Sequence, residues 1–116
     1  MAAVRIYHNP RCSKSRETLE IIRQAGIEPE IIEYLKTPPD AKTLSGLLTN
    51  LGMLPRDIMR RAEEPYKTLK LDDAEKDNQA LITAMVENPI LIERPIVVTQ
   101  KGVRLCRPPE KVKEIL

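Results

Sequence analysis

The chain has 116 residues, 41% of them hydrophobic and 31% charged, the balance of one folded domain rather than of a disordered segment. Its formal net charge of +2 is too small to mark a nucleic-acid protein on electrostatics alone, and no apolar run approaches the roughly 20 residues that span a bilayer. Met1-Ala2-Ala3-Val4-Arg5-Ile6-Tyr7 lacks the basic, apolar and cleavage regions of a secretory signal, so a cytoplasmic location with no membrane or nucleic-acid partner is expected.

Val4-Arg5-Ile6-Tyr7 alternates apolar and polar side chains and predicts a first strand. His8-Asn9-Pro10-Arg11 interrupts the alternation. A helix follows over about Ser13 to Ala25, where Leu19, Ile22 and Ala25 recur at helical spacing and Gly26 stands as a stop. Glu30-Ile31-Ile32-Glu33-Tyr34, held between Pro29 and Thr37-Pro38-Pro39, predicts a second strand. Strand, helix and strand in that order favour a right-handed parallel crossover.

The middle of the chain reads as helical. Leu44, Leu47, Leu48 and Leu51 fall at i, i+3, i+4 and i+7, one buried helix face, with Asp40 placed to cap it. A short helix is expected from Arg56 to Arg61 and another after Pro65. Asn78 to Asn88 predicts a further helix with Leu81 and Met85 on a common face, ended by Pro89. Ile96-Val97-Val98-Thr99 and Val103-Arg104-Leu105-Cys106 then flank Gln100-Lys101-Gly102, a hairpin signal. Pro108-Pro109-Glu110 opens a last helix with Val112, Ile115 and Leu116 on one side. The expected architecture is α/β, a small mixed four-stranded sheet of order βαβ…ββα. One domain spans residues 1–116, with a helical region inserted at about 40–88. Phe and Trp are absent, which leaves the core to Leu, Ile, Val and Met.

The chemistry concentrates at one loop. Tyr7-His8-Asn9-Pro10-Arg11-Cys12-Ser13-Lys14-Ser15-Arg16 sets a cysteine between the end of a strand and the start of a helix. Exposed N–H groups and the helix dipole favour an anion there, so a Cys12 thiolate is stabilised and an oxyanion is drawn to the same place. Arg11, Lys14 and Arg16 add positive charge nearby in sequence. A cysteine that merely fills a gap would have apolar neighbours, and these are polar and basic; Cys12 therefore reads as a nucleophile. His8, the one histidine, stands to influence the thiol's protonation, or serves as a plain hydrogen-bonding residue. Ser15 completes a Cys-x-x-Ser pattern, so its hydroxyl either faces the sulfur or caps the helix. Arg60, assigned to the short middle helix, Arg94 before Pro95 and Arg107 before Pro108 are candidate oxyanion ligands through paired guanidinium donors; spacing alone does not make them converge. The second cysteine, Cys106, reads as the last residue of the hairpin. Two distant thiols in a reducing compartment are expected to be free, and no metal-like cluster surrounds either.

The loop from Tyr7 to Arg16 resembles the active-site loop of the glutaredoxin-coupled arsenate reductase (ArsC) family. So do Glu64-Pro65-Tyr66, the run from Asn88 to Val98 that contains Ile92-Glu93-Arg94-Pro95, and Arg104-Leu105-Cys106-Arg107-Pro108, in the family's order. Ser13-Lys14-Ser15 is similar to an ArsC-like branch of it. The resemblance implies a thioredoxin-like fold with a helical insertion, Cys12 as catalytic thiol, His8 and Ser15 tuning it, and Arg60, Arg94 and Arg107 binding the oxyanion. It implies a cis Pro95, arsenate as substrate, glutathione as co-substrate and glutaredoxin as partner, with no bound metal or organic cofactor. It also implies a single catalytic cysteine, which leaves Cys106 a strand residue rather than a resolving thiol. Two other functions compete: a general glutathione-dependent thiol oxidoreductase that tolerates loss of Arg60, and a regulatory protein of the Spx type. The second is disfavoured because Ser15 occupies the second position of the Cys-x-x-Cys switch.

Overall fold

A computed structural model describes residues 3–116. Two compact units are present, one formed by the chain up to Thr37 together with Arg94–Leu116, the other by Pro38–Glu93.

The first unit is built on a four-stranded sheet. Strands β1 (Val4–His8), β2 (Glu30–Glu33), β3 (Ile96–Thr99) and β4 (Gly102–Leu105) lie in the order β2-β1-β3-β4. The β1–β2 pair is parallel, with Ile6 opposite Ile31; the β1–β3 and β3–β4 pairs are antiparallel. Helix α1 (Ser13–Gln24) makes the crossover between β1 and β2. Its buried positions, Ser15, Thr18, Leu19 and Ile22, form one stripe at helical spacing. Leu19 and Ile22 share a core with Val4, Ile6, Val97, Val112 and Ile115. The helix stops where expected: Gly26 takes φ +79°, and the Ile27 N–H reaches back to the Ile22 carbonyl at 3.3 Å, a left-handed glycine terminus. This mixed sheet with its βαβ and ββ halves is a thioredoxin-like α/β fold.

In the first unit, several boundaries and one helix type differ from expectation. Tyr34 falls just outside β2, and β4 ends at Leu105, so Cys106 follows the strand rather than closing it. The final segment, Pro109–Ile115, is a 3₁₀ helix that packs on α1. Pro109 at its start and burial of Val112 and Ile115 at i and i+3 suit the three-residue repeat.

The second unit holds α2 (Ala41–Leu51), α3 (Glu64–Thr68) and α4 (Asn78–Glu87). The Asp40 carboxylate accepts from the Thr43 N–H at 2.7 Å and Asp77 caps α4 in the same way at 2.8 Å. The Leu44, Leu47 and Leu48 face of α2 is buried, α2 packs on α4, and Leu81 and Met85 of α4 are fully buried. The helix expected from Arg56 to Arg61 is a 3₁₀ turn over Pro55–Ile58, so Arg60 lies beyond it. There Met59 bridges to Ile92, and the Arg60 N–H donates to the Leu91 carbonyl at 2.7 Å; the extended pairing takes the backbone groups a helix would have used. Arg56 instead donates to three main-chain carbonyls, those of Leu71 at 2.7 Å, Asp73 at 2.6 Å and Lys76 at 3.3 Å. Among the described residues no helix is long and apolar enough to cross a membrane.

Ile22 is fully buried in the first unit's core. Ile22→Ala is expected to lower stability by about 2–5 kcal/mol, the range for removing a packed aliphatic side chain. Urea unfolding followed by far-UV circular dichroism measures it, and a loss below that range would show that Ile22 does not anchor α1.

Candidate active site

The site begins with the strand-to-helix turn. β1 delivers His8 to its end and Cys12 serves as the N-cap residue of α1, with extended backbone angles (φ −95°, ψ 123°). Asn9 holds the turn together. Its side-chain Oδ1 accepts from the Arg11 N–H at 3.0 Å, its carbonyl accepts from the Cys12 N–H at 3.0 Å, and its own N–H donates to Ser15 Oγ at 3.1 Å. Asn9 is 8% exposed and Ser15 is not exposed at all, so each of these polar groups needs the partner it has. Asn9 is the site residue that sequence reasoning passed over. The signal was there, since Asn ahead of a helix start is a turn former that bonds its own backbone two residues on.

Burial pushes the Cys12 thiol up, but the donors around the sulfur outweigh it. The Ser15 backbone N–H, hydrogen bonding and charge from Arg94, and the Lys14 backbone N–H together leave the thiol below its ordinary value. The Ser15 N–H of the first helical turn is the largest of these donors, as a helix N-terminus provides, with Arg94 next and the Lys14 N–H after it. The structure thus brings Cys12, Ser15 and Arg94 together, with Ser15 acting on the sulfur through its backbone.

The Ser15 hydroxyl does something else. It sits 2.6 Å from His8 Nδ1, so the expectation that it faces the sulfur, or caps the helix, gives way to a bond with the histidine. The reason is geometric: Ser15 is the third residue of α1 and belongs to its buried stripe, which directs its side chain toward the sheet. His8 is 6% exposed, and burial, with smaller contributions from Arg23 and Arg16 against an opposing Glu33, holds its pKa below the usual value.

Arg94 and Arg107 lie on adjoining segments. Both precede cis prolines, Pro95 and Pro108, and the two segments are tied twice. Arg107 Nη1 donates to the Arg94 carbonyl at 3.1 Å, and the Cys106 N–H donates to the Pro95 carbonyl at 2.9 Å. The Arg94 Nε is buried with no hydrogen-bond partner, leaving donor capacity on the guanidinium that reaches the sulfur. Arg60 belongs to the second unit, where Nη1 meets Glu93 Oε1 at 2.6 Å and Nε lies 3.5 Å from Glu63 Oε2. Burial works against its charge, but the two carboxylates prevail and hold its pKa above the ordinary value.

Cys106 is a different kind of thiol. It is not exposed, its Sγ has the Arg104 carbonyl at 3.7 Å, and burial pushes its pKa up to about 12. Both cysteines are free thiols.

Residues 7–115 match the ArsC family. An Escherichia coli K12 protein described as uncharacterized protein YfgD is 56% identical over 114 residues, 97% of this chain and 96% of that protein. An Escherichia coli K12 protein described as arsenate reductase is 50% identical over 116 residues, the whole of this chain and 82% of the relative. A solved structure described as arsenate reductase from Vibrio cholerae shares 51% identity over 99% of this chain and 98% of that one, with a TM-score of 0.95.

The two thiols are expected to separate in reactivity. Iodoacetamide at neutral pH should label Cys12 in the native protein and reach Cys106 only after denaturation, read by peptide mass spectrometry. The Cys12 rate should rise with pH through a midpoint below that of a free thiol, because the folded site favours the thiolate. Arg94→Ala should move that midpoint upward, since it removes a donor and a positive charge from the ionised form; an unmoved midpoint would mean that Arg94 does not act on the sulfur.

Proposed function

From its place in the ArsC family, to which this chain belongs, we propose that it is an arsenate reductase in which Cys12 is the nucleophile and glutathione and glutaredoxin supply the electrons. The observation that carries the reading is the balance at Cys12: a nearly buried thiol held below its ordinary pKa by two main-chain N–H groups and Arg94. A site that stabilises one anion at a helix N-terminus is built to receive another beside it.

In the proposed first step the Cys12 thiolate attacks arsenate, an As–O bond breaks and water leaves once that oxygen is protonated, giving a Cys12 S–As(V) adduct. Arg94 and Arg107 offset the repulsion between thiolate and oxyanion. Arg60 joins them on the strength of the family resemblance, and its contribution requires it to exchange carboxylate partners for substrate. The glutathione sulfur then attacks Cys12 Sγ. The S–As bond breaks, its electron pair stays on arsenic, and As(V) becomes As(III) while the two sulfurs are oxidised to a mixed disulfide. The glutathione proton ends on an arsenic oxygen and arsenite leaves. Glutaredoxin thiolate takes the glutathionyl group by thiol–disulfide exchange and frees Cys12. The cytoplasm, where thiols are kept reduced, is the compartment this cycle requires.

Arsenate-dependent NADPH consumption, coupled through glutathione, glutaredoxin and glutathione reductase, tests the reading. Wild type should turn over and Cys12→Ser should not. Arg94→Ala should lose on the order of 10²-fold in kcat/KM, the scale for one preorganised donor to a developing charge. Arg60→Ala and Arg107→Ala should each fall severalfold or more. No turnover by wild-type protein whose Cys12 is still readily glutathionylated would move the function to general thiol oxidoreduction.

A further inference from the structure

We propose that Asn9 and Ser15 form a positioning clamp that commits the Ser15 hydroxyl proton to His8 Nδ1, fixing the histidine as its Nε2–H tautomer so that it cannot serve as the base for Cys12. The argument is a count of protons. A serine hydroxyl carries one proton and accepts with its lone pairs. Ser15 Oγ already accepts from the Asn9 N–H at 3.1 Å, and its other neighbour is His8 Nδ1 at 2.6 Å. Were Nδ1 protonated, Oγ would take two N–H groups and its own proton would be left in a fully buried position without an acceptor. Burial makes that arrangement costly. With Nδ1 unprotonated, every group at the junction is satisfied.

The consequences reach the sulfur in two ways. A neutral imidazole has one protonated and one bare nitrogen; here the bare one is spent on Ser15 and the other carries the proton. Neither remains to accept a proton from the Cys12 thiol. The acidity of Cys12 then belongs to the main-chain donors and Arg94, and His8 contributes by completing the clamp. The clamp itself aligns those donors. Asn9 grips the first turn of α1 at two points, through Ser15 Oγ and through the Cys12 N–H, which fixes the direction of the Lys14 and Ser15 N–H groups relative to the sulfur. The second nitrogen, Nε2, is left as a fixed donor, and His8 lines a cleft of about 250 Å³ with Asn9, Arg11, Glu33 and Lys36.

The chain has one histidine, so long-range proton–nitrogen NMR of tag-free protein with ¹⁵N-labelled histidine reads His8 without overlap. Above the ring's titration, wild type should show a protonated Nε2 and an unprotonated, hydrogen-bonded Nδ1. Ser15→Ala should draw the two nitrogen shifts toward each other as the tautomers mix. It should also slow iodoacetamide labelling of Cys12 at neutral pH by about fivefold, the effect of one lost hydrogen bond. Ser15→Thr, which keeps the hydroxyl, should restore both. A protonated Nδ1 in wild type would overturn the proposal, a result that needs no variant to fold. So would a Ser15→Ala protein with wild-type ring shifts and wild-type labelling. Neither readout uses arsenate, so failure here is distinct from failure of arsenate turnover.

Discussion

A thiolate withdrawn from water is costly unless donors meet it, and the first unit of this protein is arranged around meeting that cost at Cys12. The strand β1 ends, the chain turns at Asn9-Pro10-Arg11, and α1 begins with the sulfur at its N-cap. Each part is needed for the next. The core packing of α1 through Thr18, Leu19 and Ile22 holds the helix against the sheet, which keeps its first N–H groups in place. The antiparallel β1–β3 pairing sets Ile96 beside Tyr7, one residue past the cis Pro95, and so carries Arg94 to the end of the strand from which Cys12 departs.

The polar groups in this region divide their labour by proton count. Main-chain N–H groups have a proton and nowhere else to spend it, so they serve the sulfur. The Ser15 hydroxyl has one proton and a histidine close at hand, so it serves the histidine. Arginine brings a permanent charge; Arg107 Nη1 is anchored on the Arg94 carbonyl, both arginines precede cis prolines, and the Arg94 guanidinium acts on the Cys12 sulfur. Arg60 is the contrast, since Glu63 and Glu93 already compensate it. The Arg60 charge is thus already offset by carboxylates of the second unit, whereas that of Arg94 acts on the Cys12 sulfur.

Much of this was legible in the sequence because it follows from periodicity and punctuation. The alternation of Val4 to Tyr7, the leucine spacing of α2, the Gly26 stop and the hairpin around Gly102 all act locally, and local rules find them. Cys12 was legible because basic and polar neighbours around a cysteine at a strand–helix turn have few structural explanations. What escaped depends on partners far away in the chain. Arg60 reads as helical until Leu91 and Ile92 supply an extended partner for Met59 and Arg60. Pro109 to Ile115 reads as an ordinary helix until its contact with α1 selects the tighter repeat. The direction of the Ser15 hydroxyl is set by where β1 leaves His8, and no pattern within α1 contains that information. The distinction between the two cysteines is likewise one of burial: the same thiol is acidified at Cys12 and pushed up to about 12 at Cys106.

The Arg56 guanidinium has a consequence of its own for how the second unit can change over time. It grips carbonyl oxygens of Leu71, Asp73 and Lys76, atoms that every residue type presents alike. The path of that loop is therefore fixed without regard to most of the side chains on it, and exposed positions such as Asp72 and Ala74 are open to substitution at little structural penalty. One arginine gives the chain a stretch of surface whose chemistry is free to drift while its course stays constant.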